Sequence, residues 1–120
     1  MAIQKFNPRA RGRSQHVPGK MNSLEAAYAE VLESERRDGT IQNYWFEKIK
    51  LVLADRCTYM PDFMVLTDDG FIEMHECKGF PTDTWKVKWK LSIDQFPLFK
   101  FVLVTRKNAK SEWVREEVAA

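Results

Sequence analysis

The segment from Tyr59 to Gly79 constrains this chain more than any other. It reads YMPDFMVL, then Thr67-Asp68-Asp69-Gly70, then FIEMHECKG; two apolar runs joined by a tight polar loop predict a β-hairpin. A loop of Asp68, Asp69 and Gly70, with Gly70 in the left-handed position of a type I turn plus bulge, pairs Thr67 with Phe71. That register sets Asp62 opposite Glu76. Side chains alternate across a sheet, so Asp62, Met64 and Leu66 share a face with Ile72, Met74, Glu76 and Lys78. The face is apolar until its open end, where two acids and a lysine meet. A loop one residue shorter would put Asp62 opposite Cys77 and separate the acids.

Facing Cβ atoms in a sheet lie about 5 Å apart, so two unpartnered carboxylates there repel each other. A divalent cation removes that penalty. Hard oxygen ligands in partial number, with positions left for water and phosphate oxygens, suit Mg2+ or Mn2+. Lys78, two residues beyond Glu76 on the same face, is placed to reach a phosphate or an attacking water, as metal-assisted phosphodiester hydrolysis requires. Glu76 and Lys78 also have the spacing of a plain surface ion pair, and a chain with 30% charged residues produces an E-x-K by chance.

A third acid is sought upstream. Over residues 23–37, Leu24, Ala27, Tyr28, Val31 and Leu32 recur at helical spacing, with Asn22 or Ser23 as N-cap. At 100° per residue Glu25 borders the apolar stripe, whereas Glu30 and Glu33 point away and Glu35 lies roughly 15 Å further along the axis. Glu25 is therefore the acid best placed to lean over a sheet packed on this helix. The same spacing also fits half of a capping box with Asn22.

NSLEAAYAEVL, then YMPDFMVL, then IEMHECKGF and the lysine-rich WKVKWK resembles the PD-(D/E)xK nuclease superfamily. Within it, the chain resembles a family of small phage-encoded proteins and is similar in layout to Holliday-junction resolvases. The likeness spans roughly Met21 to Thr105. It implies Glu25, Asp62 and Glu76 as the acidic set and Lys78 as the catalytic lysine. It further implies a structure-selective DNA endonuclease of phage recombination or DNA processing, leaving 5′-phosphate and 3′-hydroxyl ends. A nicking or end-directed nuclease uses the same residues, and a catalytically idle DNA-binding module keeps the same fold. Cys77 stands where an aliphatic residue is more usual, but its side chain is expected on the opposite face. Its backbone carbonyl is a plausible further metal ligand, with Glu25 binding directly or through water.

The rest of the chain reads as one domain over residues 21–120 behind a basic arm, residues 1–20. The arm holds Lys5, Arg9, Arg11, Arg13 and Lys20 and no acid, although the whole chain carries a formal charge of only +2. Such a segment orders on a polyanion, although a solubilising leader has the same charge. After Gly79 a helix near Asp83 to Asp94 stops before Pro97, and a strand over Phe99 to Thr105 runs parallel to the E-x-K strand. Trp85 and Trp89 read as core anchors, and Lys86, Lys88 and Lys90 as further DNA contacts. Tyr44 to Leu53 predicts one bent strand or two short ones completing the antiparallel part of the sheet, and Lys110 to Val118 a short helix anchored by Trp113.

Cys57 and Cys77 lack zinc spacing and are expected as reduced thiols. His75 falls on the face opposite Glu76, and His16 lies in the arm. With no signal-peptide pattern and no membrane-length apolar run, the expectation is a cytoplasmic protein, in the host cytoplasm if phage-encoded. The fold expected is α/β, an αβββαβ restriction-endonuclease-like core with a mixed sheet flanked by helices and a short C-terminal helix. Two symmetry-related cuts in a junction imply a homodimer on branched DNA.

Overall fold

The structure, a computed structural model, describes residues 17–79 and 82–118. Lys5, Arg9, Arg11, Arg13 and His16 lie outside the described residues. Helix α1 (Ser23–Asp38) is followed by strands β1 (Ile41–Phe46), β2 (Leu51–Ala54), β3 (Cys57–Tyr59), β4 (Phe63–Thr67) and β5 (Ile72–Cys77). Helix α2 (Asp83–Gln95) and strands β6 (Lys100–Thr105) and β7 (Val114–Val118) complete the chain. The result is an α/β fold with a five-stranded mixed sheet in the order β1-β4-β5-β6-β7 and a two-stranded sheet, β2-β3.

The hairpin register is the expected one. Phe63 pairs with His75, Met64 with Met74, Val65 with Glu73 and Leu66 with Ile72. The Thr67 N–H bonds to the Phe71 carbonyl at 2.9 Å and the Gly70 N–H to the Thr67 carbonyl at 3.1 Å. Gly70 has φ 91°, a conformation in which a side chain would be strained. Continued one step past the strand, this register sets Asp62 opposite Glu76. Beyond it, β6 pairs parallel to β5 across the α2 crossover, with Cys77 against Val104.

Alternation divides the core between the two faces of the sheet. Phe63, Val65, Cys77, Val102 and Val104 pack with Tyr28 and Leu32 of α1. Met74 and Phe101 pack on the other face with Trp85, Trp89 and Ile93 of α2 and with Leu51, Leu53 and Tyr59 of the small sheet. Helix α1 starts at a full capping box, in which Asn22 Oδ1 accepts from the Glu25 N–H at 2.8 Å and Glu25 Oε1 from the Asn22 N–H at 2.9 Å. It ends at Gly39, φ 85°, in the left-handed conformation that closes a helix.

Three expectations need correction. Lys110 to Val118 is not a helix: Val114–Val118 is β7, antiparallel to β6. The Tyr44 to Leu53 segment breaks after Phe46; only β1 joins the large sheet, and β2 turns away to pair with β3. Helix α1 packs on the Cys77 face, opposite Asp62, Glu76 and Lys78, so Glu25 reaches the site around the open end of the sheet rather than from above it. Among the described residues no helix is long and apolar enough to cross a membrane.

Candidate active site

Asp62 and Glu76 line a cleft of about 530 Å³ at the open end of the large sheet, together with Glu25, Cys77 and Lys78. The strands aim both acids the same way, and the sheet, α2 and the β2-β3 hairpin close over them. Relative exposures of 8% for Asp62, 3% for Glu76 and 5% for Glu25 show how little water reaches these carboxylates. Asp62 Oδ2 accepts the Cys77 N–H at 2.9 Å. Glu76 Oε1 accepts the Asp62 N–H at 3.3 Å and the Tyr59 hydroxyl, and Glu76 Oε2 lies 3.2 Å from Lys78 Nζ. Lys78 in turn rests over the Trp85 ring, 5.2 Å from its centroid.

This crowding governs protonation. Burial first, and then the Glu76 charge, push Asp62 up to about 9. Burial raises Glu76 as well, against the downward pull of Lys78 and Tyr59. The pair therefore tends to hold a proton where isolated carboxylates would hold none, and a cation binding there would displace it. Burial also raises the Cys77 thiol, helped by Asp62 and Glu76, which keeps it an unreactive core group.

The donor set suits a hard divalent cation. The Lys78 N–H bonds to the Val104 carbonyl at 3.1 Å. The Cys77 carbonyl, antiparallel to that N–H in the same trans peptide, therefore points the other way, toward the Asp62 end of β4. Two carboxylates and one main-chain oxygen make a partial shell of the kind Mg2+ accepts while keeping water. Among the described residues no three His, Cys, Asp or Glu side chains gather into a ready cage. Glu25 spends Oε1 on Asn22, so it forms the capping box and the cleft wall at once.

No family model, curated protein or solved structure matches the chain. The site stands on its own geometry.

The lysines of α2 lie elsewhere. Lys86 and Lys90 are exposed and Lys88 half-buried, and none of them lines the cleft; Lys20 is exposed just before α1. Lys50, Glu47 and Tyr59 do line the cleft, and sequence reasoning missed all three. Glu47 carries a faint signal after the fact: it holds φ 46°, and its N–H bonds to the Asp62 carbonyl at 2.8 Å. His75 lies where alternation put it, 1% exposed, with Nδ1 2.6 Å from the Tyr28 hydroxyl and Nε2 2.8 Å from Glu73. Both ring nitrogens are engaged on the far face, which is a structural role.

Proposed function

We propose that this chain is a divalent-metal-dependent DNA endonuclease, with Asp62, Glu76 and the Cys77 carbonyl holding Mg2+ or Mn2+ and Lys78 acting on the phosphate. One observation carries the reading: two buried carboxylates oppose each other across neighbouring strands, with a lysine ammonium 3.2 Å from one of them. Acids so placed persist only where a proton or a cation offsets their repulsion. The ion, when bound, supplies Lewis-acid activation of water and neutralises phosphate charge. Lys78 offsets the negative charge that grows on the phosphoryl oxygens and orients the attacking water. Asp62 and Glu76 set where the phosphate must sit, and the walls of the cleft limit solvent.

The polyanion side of the reading rests on basic groups at the same end of the sheet. Lys50 lines the cleft. Arg106 and Lys107 follow β6 as Lys78 follows β5, and line a second cavity of about 300 Å³ with Ser23 and Leu24. The finer form we propose, a structure-selective enzyme that acts as a homodimer on branched DNA in phage recombination or DNA processing, follows the resemblance. In its support, the order α1, β1, β4, β5, α2, β6 agrees with an αβββαβ restriction-endonuclease-like plan once β2-β3 is set aside as an excursion.

Cleavage of a four-way junction, a flap, plain duplex and single strand, with Mg2+ and with EDTA, tests both levels. The expected result is Mg2+-dependent cutting that favours the junction. Asp62→Asn and Glu76→Gln should keep DNA affinity and lose turnover by about 10²-fold or more, because amides are poorer Mg2+ ligands than carboxylates. Cutting by either variant near the wild-type rate overturns the metal assignment. Equal cutting of all substrates removes the junction preference alone, and binding without cutting in any metal makes the chain a DNA-binding module.

A further inference from the structure

Tyr59 ends β3 and enters the cleft from the small sheet, not from the sheet that carries the acids. Its ring meets Trp89 edge-on, with centroids 6.2 Å apart, and its hydroxyl donates to Glu76 Oε1. Trp85, stacked on Trp89 with centroids 5.2 Å apart, lines the same cleft, and its buried indole N–H has no hydrogen-bond partner among the described residues. Burial first, and then Glu76, drive the Tyr59 pKa well above its ordinary value, so the phenol keeps its proton. A phenol gives one proton and accepts at the same oxygen. The hydroxyl therefore directs its one proton at Glu76 Oε1.

Glu76 is thus held at both oxygens, by Tyr59 at Oε1 and by Lys78 at Oε2. The two grips differ in kind. Lys78 is a flexible cation that competes with a metal ion for the carboxylate, whereas a neutral hydroxyl donor orients the carboxylate and leaves its charge and a further lone pair available. The terminal torsion of a glutamate is soft. Without Tyr59, the hydrogen bond left at Oε1 among the described residues is the longer Asp62 N–H contact of 3.3 Å.

We propose that Tyr59 is a positioning residue that holds the Glu76 carboxylate in the orientation in which it shares a divalent cation with Asp62. The proposal rests on the metal-site reading of Asp62 and Glu76. Loss of such an orienting hydrogen bond typically costs 10- to 100-fold in metal affinity.

The test is Mn2+ binding to the full chain, followed by electron paramagnetic resonance, in wild type, Tyr59→Phe and Glu76→Gln. Tyr59→Phe keeps the ring against Trp89, so its melting temperature should stay within a few degrees of wild type while its Mn2+ dissociation constant rises by about 10- to 100-fold. If Tyr59→Phe melts early, its Mn2+ affinity is read well below its melting temperature, where the variant is folded, and that value carries the test. Turnover of Tyr59→Phe should recover at saturating Mn2+, as a role confined to positioning a ligand requires. Wild-type Mn2+ affinity in Tyr59→Phe, with binding lost in Glu76→Gln, overturns the positioning role and leaves the metal site standing. Absence of Mn2+ binding in the wild type overturns both.

Discussion

A carboxylate buried against another carboxylate is held in place by the rest of the fold, and Asp62 shows what that costs the metal-free protein. Its folded value of about 9 lies far above the ordinary 3.8, through burial first and Glu76 second. An acid with a raised folded pKa contributes stability that is fully present below about pH 4 and is lost as pH rises through the folded value. In EDTA the melting temperature should therefore fall between about pH 4 and 9, and Mg2+ should oppose the fall. Asp62→Asn retains an acceptor for the Cys77 N–H and carries no charge, so at pH 8 it should be more stable than wild type by about 1–2 kcal/mol, with a flatter pH profile. Thermal melts of both proteins across that range decide it; parallel profiles would show that Asp62 does not hold the proton. At this scale Asp62, Glu76 and Lys78 were legible, because alternation and a three-residue loop are local rules. Tyr59, Lys50 and Glu47 were not, since they reach the cleft from chain that folds back over the sheet, and no periodicity records that return.

Among the elements, β7 shows tertiary demand overriding local preference. Lys110 to Val118 carries Glu, Lys and Arg in a helix-compatible mix, which is why it reads as a helix. Strand β6, however, has buried residues on both faces, Phe101 on one and Val102 and Val104 on the other. Its outer backbone groups need partners, and pairing with β7 supplies them. The same alternation that serves the hairpin then puts Arg115 on the α1 side, 2.7 Å from Glu35 and over the Tyr28 ring. Trp113 is the anchor the sequence indicated, in a different role: its ring lies 5.1 Å from Tyr28 and brings β7 onto the sheet. Trp113→Ala should cost about 2 kcal/mol, less than an enclosed tryptophan because the ring is only half-buried. Urea denaturation measures it, and a neutral result would mean that β7 is held by its ladder alone. The hairpin and the parallel crossover were legible because each rests on its own loop and strand pattern. The departure of β2 to a second sheet was not, because it depends on the α2 tryptophans that the small sheet covers.

At the scale of the molecule, a formal charge of +2 gives no general attraction for DNA, so any binding depends on where the charges lie. Sequence reasoning put them on the N-terminal arm and on α2; the arm lies largely outside the described residues, and the α2 lysines line no part of the cleft. The open end of the sheet offers a different set. Among the described residues Arg106 has no ion-pair partner, and its guanidinium carbon lies over the Trp113 ring, 4.0 Å from the centroid, a cation–π contact that steadies the cation at this end of the sheet. Lys107 follows it, and both stand beside the start of α1, next to the Glu25 and Asn22 wall of the cleft. A phosphate backbone leaving the cleft on the α1 side would meet this pair. Each phosphate contact releases counterions, so the logarithm of affinity falls with the logarithm of salt in proportion to the number of contacts. Arg106→Gln with Lys107→Gln should weaken duplex binding across all sequences and make the salt slope shallower by about 1–2, while turnover on saturated substrate survives because neither residue touches the acids. Fluorescence anisotropy from 50 to 200 mM salt reads the slope, and a melt of the variant checks that Trp113 stays packed. An unchanged slope would show that the backbone leaves by the other side of the cleft, past Lys50.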